Sequence, residues 1–178
     1  MATTTHLLTW EEFEQYPDDG MHHELIEGEL QVLPPPKSKH SLIADNVAEA
    51  LRPLRAKGRV LWEAGYKLSD KPATWIEPDV SFLTTERVLE TDPDGYFLGA
   101  PDLAVEIISP SESARHIERK IALLLEKGSA AVWVIYPDSR AIHVHTPDRK
   151  SFALGVEDML SLPVLLPGWE LLVARLFE

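Results

Sequence analysis

Two carboxylates and one lysine stand out in this sequence as groups able to do chemistry together: Asp79, Glu106 and Lys120. Asp79 lies in the stretch WIEPDVSFL, which reads as a strand. Strand alternation sends Glu77 and Asp79 to one face and Val80 and Phe82 to the other. Glu106 interrupts the apolar run DLAVEIIS between Val105 and Ile107, where an unpaired carboxylate is desolvated at large cost. Such an acid holds a proton at raised pKa, pairs with a cation or binds a metal. Magnesium needs one or two carboxylates plus waters, and Asp79 with Glu106 would supply them. A plainer explanation stands beside this one, with Asp79 as a turn former after Pro78 and Glu106 paired to a structural arginine or lysine. Two acids on adjacent strands favour the metal.

Lys120 falls in a segment with helical spacing, beside Leu124 on the flank of the apolar stripe and with Arg119 on the far side. That helix follows the Glu106 strand, so it starts at the strand end where α/β proteins often build their sites. An ammonium there can lean into the sheet and stabilise charge developing on a phosphate. It can equally snorkel over apolar surface. His143 and His145 share a strand face at metal-ligand spacing, a pattern that an exposed hairpin strand explains as well. Ser109 lacks the nucleophile-elbow surroundings that a Ser-His-Asp site needs.

The elements that must position these groups are legible in outline. Thr9 and Glu12 form a capping-box pattern for a short helix ending near Pro17. HHELIEGELQVL alternates across a Glu-Gly turn, which predicts a hairpin closed off by Pro34 to Pro36. A helix is expected over 41–57, kinked at Pro53 and ended by Gly58, with His40 at its opening. Strands are expected at 59–68 and 75–83. A connection rich in Pro, Gly and Asp then leads to the central strand DLAVEIIS. SPSES supplies an N-cap for a helix over 115–127 that Gly128 ends. AVWVIYP, AIHVHTP and KSFAL read as strands, and GWELLVARLF as a last strand or short helix. The order implies an α/β fold with a mixed central sheet flanked by helices.

The chain of 178 residues suits one domain spanning 1–178, since domains commonly run to roughly 100–200 residues. No apolar run reaches the ~18 residues of a membrane span, the first residues lack a secretory pattern, and there is no cysteine for disulfides or thiolate metal sites. The cytoplasm is the expected compartment. A net charge of -12 repels polyanions on average, so nucleic acid would need a local cationic surface. Arg52, Arg55, Lys57 and Arg59 offer one such cluster, and favourable charges at a helix C-terminus explain it as well.

The PD of EPDVSFL, the acid of AVEII and the lysine of ERKIALLLEKG together resemble the PD-(D/E)XK nuclease superfamily. HELIEGEL, PPPKSKHSLI, PDLAVEIISPSES, GSAAVWVIYPD and LPGWELLVARLF bring nearly the whole chain close to its Uma family of restriction endonuclease-like proteins. The resemblance implies a restriction-endonuclease-like core and Asp79 and Glu106 as metal ligands. In the superfamily's usual layout the lysine stands two positions after the acid, which here is Ile108, roughly 6.6 Å along the strand. In the Uma family it has moved to the following helix, and Lys120 matches it. Glu24 and His40 match further recurrent positions. His116 and Leu124 depart from the family's aspartate and tyrosine on either side of the lysine. The implied activity is a magnesium-dependent (or manganese-dependent) endonuclease acting on DNA, with Lys120 stabilising the transition state. The alternative is a catalytically silent oligomeric binding module that keeps the fold. Apolar strands near the C-terminus suit a homodimer or higher homo-oligomer.

Overall fold

The computed structural model describes residues 6–17, 19–109 and 112–178. Thr9 caps the first helix, α1 (Trp10–Glu14), by accepting from the Glu12 amide while the Glu12 carboxylate accepts from its own. The hairpin follows as β1 (His22–Ile26) and β2 (Glu29–Leu33). Its turn residues Glu27 and Gly28 both have positive φ, as a two-residue type I′ loop requires. The next helix, α2 (Ser38–Ala50), begins earlier than expected and places His40 inside its first turn. It also stops sooner, because Pro53 has no amide for the α-helical ladder and the chain tightens into a 3-10 turn, Arg52–Ala56. Gly58 opens β3 (Gly58–Trp62), where a Cβ would strike the Leu83 carbonyl.

Both strands expected in this region are broken in two. The stretch 59–68 divides into β3 and β4 (Tyr66–Asp70), with Glu63 at positive φ between them. The stretch 75–83 divides at Pro78 into β5 (Ala73–Ile76) and β6 (Val80–Thr84). In each case the two halves belong to different sheets. Asp79 therefore stands at the crossing between sheets rather than inside a strand.

After α3 (Thr85–Glu90) and the short β7 (Phe97–Leu98) comes β8 (Leu103–Ile107), all five residues of which are buried. Ser113 caps α4 (Ala114–Glu126) through a bond from the His116 amide, and Gly128 at φ 117° ends it. The chain continues through β9 (Ala131–Tyr136), β10 (Ala141–His145), β11 (Ser151–Leu154), β12 (Met159–Leu162) and β13 (Leu166–Leu172), then a 3-10 turn, Val173–Phe177. The class is the mixed α/β one expected, with the strands in a five-stranded sheet (β2-β1-β5-β4-β7), a six-stranded sheet (β11-β10-β9-β8-β6-β3) and a β12-β13 pair.

Alternation along β8 decides where the chemistry faces. Leu103, Val105 and Ile107 pack with α2 and the C-terminal segment. Ala104 packs on the opposite side with Ile117 and Leu124 of α4 and with Ile26 and Ile76 of the five-stranded sheet. Glu106, two residues after Ala104, belongs to that second side. The acid is thus forced between the helix and the two sheets. Among the described residues no helix is long and apolar enough to cross a membrane.

Candidate active site

Asp79, Glu106, Lys120, Glu24 and His40 all line one cleft of about 360 Å³. Antiparallel pairing of β6 with β8, Val80 opposite Val105, sets Asp79 beside the end of the Glu106 strand. One oxygen of Asp79 accepts from the Ile107 amide and the other lies 3.1 Å from His40 Nε2. Glu77 also reaches the cleft, but it is held by the Trp75 indole at 2.8 Å and faces His22 Nδ1 at 3.3 Å. The break at Pro78 keeps both acids on the cleft without a continuous strand face beneath them.

Lys120 does not snorkel. Its side chain is 2% exposed, and its ammonium donates to Glu24 Oε1 at 2.8 Å and Glu106 Oε2 at 2.7 Å. It stands in the buried stripe Ile117, Lys120 and Leu124, at the spacing that brings one helix face onto the sheets. On the neighbouring face Arg119 donates to both Glu27 and Glu29, tying the β1–β2 turn to α4. That clamp fixes the hairpin bearing Glu24 against the helix bearing Lys120. The two altered positions resolve differently: His116 Nε2 comes 3.4 Å from Glu24 Oε2, whereas Leu124 is wholly in the core.

Burial and charge pull these groups in opposite directions. Burial alone acts to lower the pKa of Lys120, but attraction to Glu106 and Glu24 outweighs it and the ammonium is held firmly charged. Burial acts to raise Glu24, yet Lys120, the approach of His116 and the Glu77 amide hold it down at about 2. Glu106 goes the other way: burial raises its pKa well above the ordinary value, Lys120 opposes this only in part, and the charges of Glu24 and Asp79 add to the rise. For His40, burial acts to lower the pKa, while its bond to Asp79 and the charges of Asp79 and Glu112 raise it overall.

A divalent cation would suit this surplus of buried negative charge. Glu106 Oε1 and Glu24 Oε2 are buried without hydrogen-bond partners among the described residues. Orphaned buried acceptors of this kind call for a proton or a cation. Among the described residues no group of three or more His, Cys, Asp or Glu side chains converges as a ready-made cage. Magnesium does not require one, because it keeps several waters and uses one or two carboxylates. His143 and His145 lie elsewhere, their rings 6.4 Å apart, with His143 against Tyr136.

Residues 10–174 match the Uma2 family, described as "Putative restriction endonuclease". The chain belongs to the Uma2 family. A solved structure, a "putative nuclease belonging to DUF820" from Anabaena variabilis, is 25% identical with a TM-score of 0.84, over 96% of this chain and 97% of that one. No curated protein matches the chain. Family and fold are thus those of nucleases. Sequence reasoning on this Uma2 chain missed His22 and Glu112, which also line the cleft. For His22 a signal existed, since strand alternation puts it on the same face as Glu24. For Glu112 there was none, because a loop residue carries no periodicity.

Proposed function

We propose that this chain is a metal-dependent endonuclease of one restriction-endonuclease-like domain, hydrolysing phosphodiester bonds in DNA. The observation that carries the reading is the buried group at the cleft floor, in which Lys120 is clamped between Glu24 and Glu106 while Glu106 Oε1 is left without a partner. Asp79 and Glu106 would hold the cation, with magnesium or manganese as the expected ion. A cation there supplies charge neutralisation and Lewis-acid activation for hydrolysis.

The remaining work falls to the chain's own groups. Two of the three ammonium N–H donors of Lys120 go to carboxylates, which leaves one for a phosphate oxygen whose charge grows in the transition state. Glu24 positions that ammonium, so it acts through Lys120 rather than on substrate. His40 and the Ile107 amide orient the Asp79 carboxylate from either side, much as partners of metal-binding carboxylates do.

Purified protein with magnesium or manganese should nick negatively supercoiled plasmid, whose unwinding strain melts short segments. Asp79→Asn and Glu106→Gln should each abolish nicking while the circular dichroism spectrum is kept. Nicking that survives both substitutions sinks the assignment. A catalytically silent, oligomeric binding module is the second reading, favoured by Glu63, Glu77 and Glu112 on the cleft walls, which repel a polyanion. Calorimetric titration with magnesium separates the two, since an absence of binding up to millimolar levels favours the silent module.

A further inference from the structure

We infer that the cleft admits one unpaired nucleotide, so that the preferred substrate is single-stranded nucleic acid rather than an intact duplex; this rests on the hydrolase reading above. The first ground is depth. Glu106 and Lys120 form the floor and are 3% and 2% exposed, so a phosphate must descend into the cleft to reach them. The second is size. A volume of about 360 Å³ lies near the small end of single-ligand pockets, which run from roughly 300 to 1,000 Å³.

The mouth is narrow as well. Lys39 in the first turn of α2 donates to Asp138, just beyond β9, at 3.0 Å, and both residues line the cleft. One exposed ion pair therefore bridges the two rims. A B-form duplex, whose major groove alone is about 12 Å wide, is too broad to follow its phosphate down to that buried floor without melting. An exposed ion pair of this type is worth at most about 1 kcal/mol and yields to either form, so it is the depth beneath it that discriminates.

The walls suit a base face and disfavour a second backbone. Pro34, Pro35 and Pro36, all exposed, and the half-buried Pro137 line the cleft, presenting apolar rings without amide donors. Only an unpaired nucleotide has a free base face to lay against them, since a duplex keeps its bases stacked inside. Glu63, Glu77 and Glu112 meet whatever enters, and a duplex carries twice the backbone charge of one strand past them.

The test compares fluorescein-labelled oligonucleotides of one sequence, single-stranded and as a hairpin duplex. Cleavage is followed with manganese, and binding is followed by anisotropy with calcium, on the full chain. The single strand should be cut and bound several-fold better than the duplex. Pro35→Ser, on the exposed rim, should weaken single-strand binding several-fold without moving Tm or duplex binding. Equal or better cleavage or binding of the duplex overturns the inference. Tighter binding of the single strand with no cleavage of either upholds the substrate preference and overturns the hydrolase reading. Binding of neither overturns both.

Discussion

Lys120→Met keeps the length and apolar stem of the side chain and removes only its charge and donors. In the folded protein this strands Glu24 and Glu106, both almost fully buried, without their shared cation. Breaking a buried ion pair from one side costs about 3–5 kcal/mol, because the carboxylates left behind stay desolvated. For a chain of this size each kcal/mol moves Tm by roughly 2–4 °C, so a fall of roughly 6–20 °C is expected. The pH dependence gives the sharper check. In the wild type, Glu24 is held near 2 against an ordinary 4.5, so its contribution is present above 4.5 and lost as the pH falls toward 2. In Lys120→Met the attraction is gone and burial raises both carboxyls. The penalty is then absent below the ordinary carboxylate range and grows as the pH rises through the raised values. Urea titrations should therefore show the gap between variant and wild type narrowest toward about pH 2 and widening steadily up to about pH 8. Adding Glu24→Gln and Glu106→Gln should recover most of the loss at the higher pH. A loss below about 1 kcal/mol, or one that is flat with pH, refutes the claim that these three charges form one buried unit.

Gly65→Ala should destabilise the protein by about 1–3 kcal/mol in urea titration, because its Cβ would run into the Trp75 indole. Trp75 holds Glu77 at the cleft wall, so the variant's tryptophan emission should shift as well. Replacing His143 and His145 together with alanine should leave metal content by elemental analysis unchanged, since no third ligand joins them among the described residues. Thr9→Ala should lower stability by about 1 kcal/mol in the same titration, as loss of an N-cap bond usually does.

Local chemistry was legible wherever the deciding atoms are close along the chain. Thr9 and Glu12 are three residues apart, and both halves of their capping box form as read. The Glu27-Gly28 turn and the Ser113 cap likewise depend on residues within one turn of themselves. The acids were legible for a different reason: a carboxylate amid DLAVEIIS cannot be left alone in an apolar strand, whatever the rest of the fold does.

The tertiary structure decided what those acids do with their charge. Lys120 meets Glu24 across 96 residues of sequence, and the helical wheel left its direction open because a flanking lysine can turn either way. Nor could spacing show that strands 59–68 and 75–83 each pass from one sheet to the other, since alternation looks the same on both sides of Glu63 and Pro78. The sequence by itself therefore determined the α/β class and most of the elements, and it singled out Asp79 and Glu106 as candidates. Only the fold brought Glu24, His40 and Lys120 around them, because which buried charges face one another depends on how separate elements pack.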